Sequence, residues 1–587
     1  PVSYIRETIG EMKRKNIRFN GSLTFRPIES LTLKAMYARR STTSTDGYYQ
    51  TKKHVSTTKS GRNGYAYRYD SDFDNNLIEL TANFQKAFGK HNVSVLIGYN
   101  YEDNTNSNLS MSNYDFPTDA YSYNKMEAGM ALKRGEASMT SYKNSDKLIG
   151  LFTRVSYNFN DRYLLMASLR HEGSSKFGIS NKWGSFPAVS AGWRISEEDF
   201  IKNIQWISDL KLRGDFGVTG NQEFDSYKSL ALMQAYDLIY YNGTYIKGWG
   251  FSSNANPNLK WEKGKNWNVG IDFSLFNYRL NGGVNYYSRK QQDLLGVYDV
   301  ALPPNGAPQS FVNVGTMKNT GVEIELDWNA VKSKNFNYTI GFVGSTSNNK
   351  FVSFSNQFYE GPKYYWMSSF PLYPGNPGVL QRIEEGERIG NFYTFQYAGL
   401  DDNGGWLIYS KDGEVIPIDK GTDEDKRVVG NGLPKFTMSV THTFRYKNLD
   451  LNLYFRGNLG YQIYDVHDLY YGLQDAAPNT NVLESAYKEN REITTGKNVH
   501  SSYFVHNGDF MKLDVATLGY TWNINNKWVE KARFYITGRN LFTISGYHRG
   551  LDKDAYCVNG MEPGLPYSKN GYYPSSRQFL FGIQLNF

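Results

Sequence analysis

The sequence predicts an all-β protein, a transmembrane antiparallel β-barrel. Three observations predict it. The C-terminal stretch Arg577–Phe587 places Phe579, Phe581, Ile583, Leu585 and Phe587 on every second position, with Gly582, Gln584 and Asn586 between them. Strand side chains alternate faces, so this strand has an apolar face, a polar face and an aromatic end. That pattern suits the closing strand of a barrel set between lipid and a wet lumen. Next, the 587-residue chain combines a low mean hydropathy of -0.58 with 47 Tyr, 35 Phe and 11 Trp. Polar lumen faces and loops lower the hydropathy of a barrel, while aromatic girdles raise its ring count. Finally, short turns alternate along the chain with long polar connections.

The strands follow as hairpins. Segments 17–25 and 31–39 flank a turn at 27–30, and 77–88 and 93–101 flank 89–92. Segments 149–159 and 163–171 flank 160–162, and 267–276 and 280–288 flank 277–278. Segments 321–331 and 336–345 meet at 332–335, and 436–446 and 449–457 meet at 447–448. Segments 510–522 and 532–538 lead to the final strand. The long connections are 40–72, 104–146, 220–262, 289–319, 346–388 and 458–509. Short turns at one end and long loops at the other match periplasmic turns and outer loops. Across 347–435 the strand parity stays open, with one strand hidden or irregular. Segment 196–208 is expected to be a short helix in a periplasmic turn, with Ser196 as N-cap and acids in its first turn.

Within the strands two faces separate. Val322, Ile324, Leu326 and Trp328 alternate with Glu323, Glu325 and Asp327. Ile149, Leu151, Val155 and Tyr157 alternate with Gly150, Arg154, Ser156 and Asn158. An Arg or Lys facing lipid at mid-depth costs roughly 2–4 kcal/mol. Arg154, Arg170, Glu323, Glu325 and Asp327 are therefore expected to face the lumen. A lining of both signs is not the single-sign ring of a selective pore. It suits a lumen filled by a packed element that supplies hydrogen bonds and ion pairs.

Composition excludes several classes. No apolar run approaches the ~20 residues of a spanning helix. The single cysteine, Cys557 in a polar Gly-rich loop, makes no intramolecular disulfide and no zinc cage. The net charge of +8 is spread along the chain with no basic block, so it belongs to solvated loops and lumen rather than to a nucleic-acid site. There is no Gly-x-Ser-x-Gly elbow, no His-Glu-x-x-His and no phosphate loop. The eight histidines are scattered, and Glu360 and Asp465 sit in aromatic-rich loops without a readable catalytic pairing. The expectation is a non-enzyme.

Several phrases go beyond periodicity. They are Phe152 to Gly178, Trp183 to Ile195, Leu212 to Gln222, Asn256-Pro-Asn-Leu-Lys-Trp-Glu262, Asn313 to Glu323 and Gly538-Arg-Asn-Leu-Phe-Thr543. In this order they resemble the barrel of the SusC/RagA family of TonB-dependent transporters over nearly the whole chain. Gly217, Gly220 and Asn221 suit a sharp turn at a strand end, Asn256-Pro257 and Asn313 mark re-entry from loops, and Trp183, Trp193 and Trp261 suit interfacial positions.

The resemblance implies a barrel of ~22 strands, of which about 18 are readable here. The family's leader, plug, TonB-contacting segment and first strands are expected to lie outside residues 1–587. It implies TonB-driven import of a bulky nutrient, an oligosaccharide first and an oligopeptide second, with a SusD-like surface lipoprotein as partner. The open alternative is a passive porin or structural barrel. Family members often carry a calcium-like acidic loop where this chain has Leu400 to Ile416. Ser410 and Lys411 break the spacing a hard cation needs, so a hydrated turn is expected there, with a loop-bound calcium as the weaker alternative, and no cofactor elsewhere. Aromatic faces grip sugar rings and peptide side chains. The candidates for substrate contact are Trp249, Tyr364, Tyr365 and Trp366 (within the loop Phe358 to Met367), Trp406, Tyr470 and Tyr471.

Overall fold

Alternation over the apolar belt gives strands, and turn residues join them. In the computed structural model of the chain the described residues are 2–357, 359–367, 378–477, 481–494, 499–524, 526, 528–547, 561–565 and 575–587. Phe358 and Cys557 fall outside them. Eighteen strands are hydrogen-bonded into one sheet, and every pair whose register is described below is antiparallel. The chain divides into two compact units, residues 1–189, 217–263 and 295–313 in one, and 190–216, 264–294 and 314–587 in the other.

The first unit holds β1 (Thr8–Ile28), β2 (Leu31–Gln50), β3 (Tyr65–Phe88), β4 (His91–Tyr114), β5 (Ser138–Phe159) and β6 (Tyr163–Ser174). β3 and β4 run 24 residues each, whereas a barrel strand needs ~9–11 to cross a membrane. The excess corrects the sequence reading, which took 40–72 and 104–146 as loop. The register explains the error. Tyr37, Ile78, Tyr101 and Ile149 form one cross-strand row, and the next row outward on the same face is Arg39, Asn76, Asp103 and Lys147. Beyond that row no lipid enforces an apolar face, so the alternation disappears while the hydrogen-bonded ladder continues. The true connections shrink to 51–64 and 115–137.

In this unit two small cores hold the connections. Tyr49, Ala66 and Phe116 form one, with Tyr123 and Met126 packed against it. Phe177, Phe186, Leu259 and Trp261 form the other. β7 (Trp183–Arg194) and β8 (Ile207–Asn221) follow. Between β8 and β11 (Glu262–Leu275) stands a separate hairpin of β9 (Leu232–Tyr241) and β10 (Thr244–Ser253).

The second unit repeats the two-faced pattern. Val284 of β12 (Leu280–Gln292) lies opposite Ile324, which lies opposite Gly344. Further along, Leu451, Leu518, Ile536 and Phe581 form a continuous apolar row. On the other face Glu325 lies opposite Gly283 and Val343. The short turn at Phe276, Asn277 and Tyr278 is possible because all three adopt positive φ, 55°, 55° and 59°. At Asn540, with φ 54°, the pairing of strands Phe510–Asn523 and Lys531–Ser545 slips between Leu513 and Val515. The Asn-Leu-Phe phrase is thus a β-bulge.

Two expectations change here. Strand Phe336–Thr346 pairs directly with Phe436–Tyr446, so 347–435 is one long insertion between them; Asn348–Ser353 pairs back onto Thr316–Thr320, and among the described residues no further crossing strand stands there. The 195–206 turn holds a 3-10 turn at Ile195–Glu197, with Arg194 at the N-cap position and no side-chain cap. Ser196 is not the cap; its hydroxyl donates to Asp209 Oδ1 at 2.7 Å.

Candidate functional site

Within each unit the register places the charged candidates on one face. Arg154 shares its face with Gly150 and Phe152, opposite Leu151 and Val155. Arg170 lies across from Phe152 on that same face. Its Nε donates to Glu172 Oε1 at 2.5 Å, its Nη2 donates to Asn100 Oδ1 at 3.0 Å, and its guanidinium sits 5.4 Å from the centre of the Phe152 ring. Glu323, Glu325 and Asp327 alternate with Val322, Ile324 and Leu326, and among the described residues these three carboxylates form no ion pair. On the same face of the second unit, Arg213 Nε donates to both oxygens of Asp272, at 3.0 and 3.1 Å, and its Nη2 donates to Asn285 Oδ1. Arg533 likewise pairs with Asp450, and Arg456 with Asp514. Much of the mixed-sign charge on this face is therefore paired within the sheet itself. That narrows the argument for a packed filling to residues such as Glu323 and Glu325.

The aromatic candidates scatter. Trp406 is 3% exposed and Tyr470 fully buried, both in the core that the 347–435 insertion builds with Phe392, Tyr464 and Phe504. Tyr471 packs partly buried against it. Trp406 and Tyr470 are packing residues, a correction to their expected substrate role, because a long insertion needs its own core. Next to that core, burial pushes the His500 imidazole down to about 4, helped by the Lys426 charge and opposed by a backbone hydrogen bond at Gly378. Its Nδ1 lies 2.9 Å from the Tyr464 hydroxyl. Tyr364 and Trp366 surround the Arg382 guanidinium at 4.6 and 5.8 Å, with Tyr393 at 3.5 Å beneath it and Glu384 accepting from Nη2 at 2.6 Å. Tyr365 instead meets Phe354 edge-on. Trp249 on β10 is the most open, 67% exposed, and Tyr364 is exposed as well. At 400–416, Asp401 Oδ1 accepts the N–H groups of Asn403 and Gly405 at 2.8 and 2.7 Å, which closes the turn on itself.

Motif residues find other reasons. Trp261 is not interfacial but buried beside Phe177, with ring centres 4.6 Å apart. Gly220 lies within β8 rather than at a turn; a Cβ there would come within 2.3 Å of the Phe186 ring. Asn313 staples the backbone of Lys260, accepting its N–H at 2.9 Å and donating to its carbonyl at 2.7 Å. The hairpin β9–β10 was missed although it carries a strong signal. Asn242-Gly243, with φ of 47° and 84°, joins Tyr241 to Thr244 as a two-residue turn between apolar runs.

The sequence matches a family model described as TonB dependent receptor-like, beta-barrel, over residues 3–541. The chain belongs to this family. Among curated relatives, TonB-dependent receptor P3 of Formosa agariphila is 29% identical over 100% of this chain and 59% of its own length. TonB-dependent receptor SusC of Bacteroides thetaiotaomicron is 29% identical over 76% of this chain and 44% of its own length. A solved structure of the RagAB peptide transporter superposes with TM-score 0.81 at 23% identity, covering 99% of this chain and 63% of that one. The chain thus spans roughly half of the curated relatives' length, and its fold is that of the SusC/RagA type of TonB-dependent receptor barrel.

Proposed function

We propose that the complete protein is an outer-membrane importer of a bulky nutrient, an oligosaccharide before an oligopeptide, driven by TonB and working with a SusD-like surface lipoprotein. The hairpin β9–β10 is the observation that carries this reading. Tyr241, Tyr245 and Trp249 are 68%, 70% and 67% exposed, and Met233, Leu238, Ile239 and Tyr240 are exposed beside them. A lone two-stranded hairpin is marginal in water, and a contiguous exposed apolar surface marks an interaction site. Tyr and Trp are the side chains that interfaces favour. The hairpin rises from the β8–β11 connection, at the end opposite the short 195–206 turn, where a capping lipoprotein would sit. The similarity to SusC supports the same partner.

Deleting 232–253 in the full-length protein should abolish copurification of an acylated surface lipoprotein in mild detergent, with the receptor still at normal levels in the outer membrane. Stoichiometric lipoprotein retained by the deletion variant would contradict the reading.

A further inference from the structure

We propose that the inward face of the outer halves of β3, β4 and β5 is a binding wall for a neutral oligosaccharide. The inference rests on the import reading above and names where, and by what chemistry, cargo is held. In β4 the run Asn104-Thr105-Asn106-Ser107-Asn108 puts amides on one face and hydroxyls on the other. The register builds three successive rows on the amide face. Asn75, Asn104 and Asp146 make the lowest, Phe73, Asn106 and Asn144 the next, and Ser71, Asn108 and Tyr142 the third. This face continues that of Gly150, Phe152 and Arg154 lower in β5, the face that the cost of a lipid-facing arginine assigns to the lumen in this reading.

The lowest row is closed by its own hydrogen bonds. Asn75 Nδ2 donates to Glu102 Oε1 and to Asn104 Oδ1, both at 2.7 Å, and Asn104 Nδ2 donates to Asp146 Oδ1 at 3.1 Å. The two rows above differ. Among the described residues, the side chains of Asn106, Asn108 and Asn144 make no hydrogen bond within the protein. Each amide keeps two donors and an acceptor oxygen free. Asn is disfavoured in strands, so three unpartnered copies in adjacent ladder positions cost stability without any internal return.

The chemistry of the rows selects the ligand class. The two upper rows hold no Asp, Glu, Lys or Arg of their own; the charges that border them, Asp146 and Arg40, lie in the lowest row, Arg40 opposite Asn75. A sugar hydroxyl both donates and accepts, as a carboxamide does. Phe73 and Tyr142 flank the amides on the same face, the first with the Arg40 guanidinium 5.7 Å from its ring centre, and an aromatic ring suits the apolar face of a sugar.

The test uses the full-length protein in its own outer membrane, in cells offered a mixture of neutral oligosaccharides from plant-glycan hydrolysates and peptides from a protein digest. Depletion of each component is followed by mass spectrometry. The expected result is receptor-dependent depletion of neutral oligosaccharides. Asn106→Ala/Asn144→Ala should lower uptake at limiting concentration at least tenfold and leave it near normal at saturation. Thr105→Ala/Ser107→Ala on the opposite face should change nothing. If the alanine pair fails to reach the membrane, Asn106→Thr/Asn144→Thr, a better strand former, takes its place. Normal uptake by the amide variant at limiting concentration overturns the wall and leaves import standing. Receptor-dependent depletion of peptides alone overturns the ligand class. Depletion of neither overturns the import reading, and this inference with it.

Discussion

Gly220 shows how a motif residue can be right for a reason its sequence hides. An added Cβ would meet the Phe186 ring at 2.3 Å and the Trp261 ring at 2.9 Å. Overpacking a filled core costs about 1–3 kcal/mol, so Gly220→Ala should lower the thermal unfolding midpoint of the purified receptor by several degrees; an unchanged midpoint would remove the packing account. Asp115 makes a second case. It bridges Arg62, at 3.1 Å, and Arg134, while Glu136 joins the same two guanidiniums, so residues 62, 115, 134 and 136 clamp 51–64 to 115–137. Burial alone would raise the Asp115 carboxyl, but the Asn63 N–H and the two arginines outweigh it and hold it below the usual carboxylate range. Hydrogen bonds from Arg62 and Arg134 lower Glu136 as well. A depressed acid stabilises the fold above its unfolded pKa and loses that contribution as pH falls through the folded value. The clamp should therefore hold at neutral pH and loosen only below about 4, where carboxyls ordinarily protonate. Hydrogen exchange across 51–64 and 115–137 should show protection from pH 7 to 5 and loss under more acid conditions. Asp115→Asn should show the loss already at pH 7. Protection independent of both pH and this substitution would mean the clamp is incidental. None of these residues announced its partner, because the contacts join segments tens of residues apart.

At the scale of elements, legibility followed the solvent. Where lipid demands an apolar face, as from Val322 to Trp328, alternation alone located the strand and its faces. In the outer halves of other strands, as at Asn104 to Asn108, both faces are polar and the ladder is silent in the sequence. Trp406 and Tyr470 were misjudged for the opposite reason. Rings in a polar insertion look available until its core, built from residues as distant as Leu380 and Phe504, is assembled. The Asn242-Gly243 turn was legible by local chemistry and was passed over inside a long connection. The face assignment is testable in the full-length protein. A cysteine at Glu325 should react with a membrane-impermeant thiol reagent several-fold faster than one at Ile324, whose side chain shares its face with Val284 and Leu326. Faster labelling at Ile324 would reverse the register.

At the scale of the molecule, the family match covers 539 residues, 3 to 541, and much of the charge on the polar face of the sheet is already paired. Among the described residues Glu323, Glu325 and Asp327 remain without ion pairs, and burying such charges is costly unless they are hydrated or matched. A passive channel would leave them to water, whereas a TonB-driven receptor would place a movable filling against them. The two accounts separate on energy coupling. Uptake of the receptor-dependent nutrient by cells carrying the complete protein should be measured with and without a protonophore that collapses the proton-motive force. Active import predicts that flux falls to the level of a receptor-deletion strain within minutes of uncoupling. Flux that continues unchanged would contradict it and make the protein a passive pore.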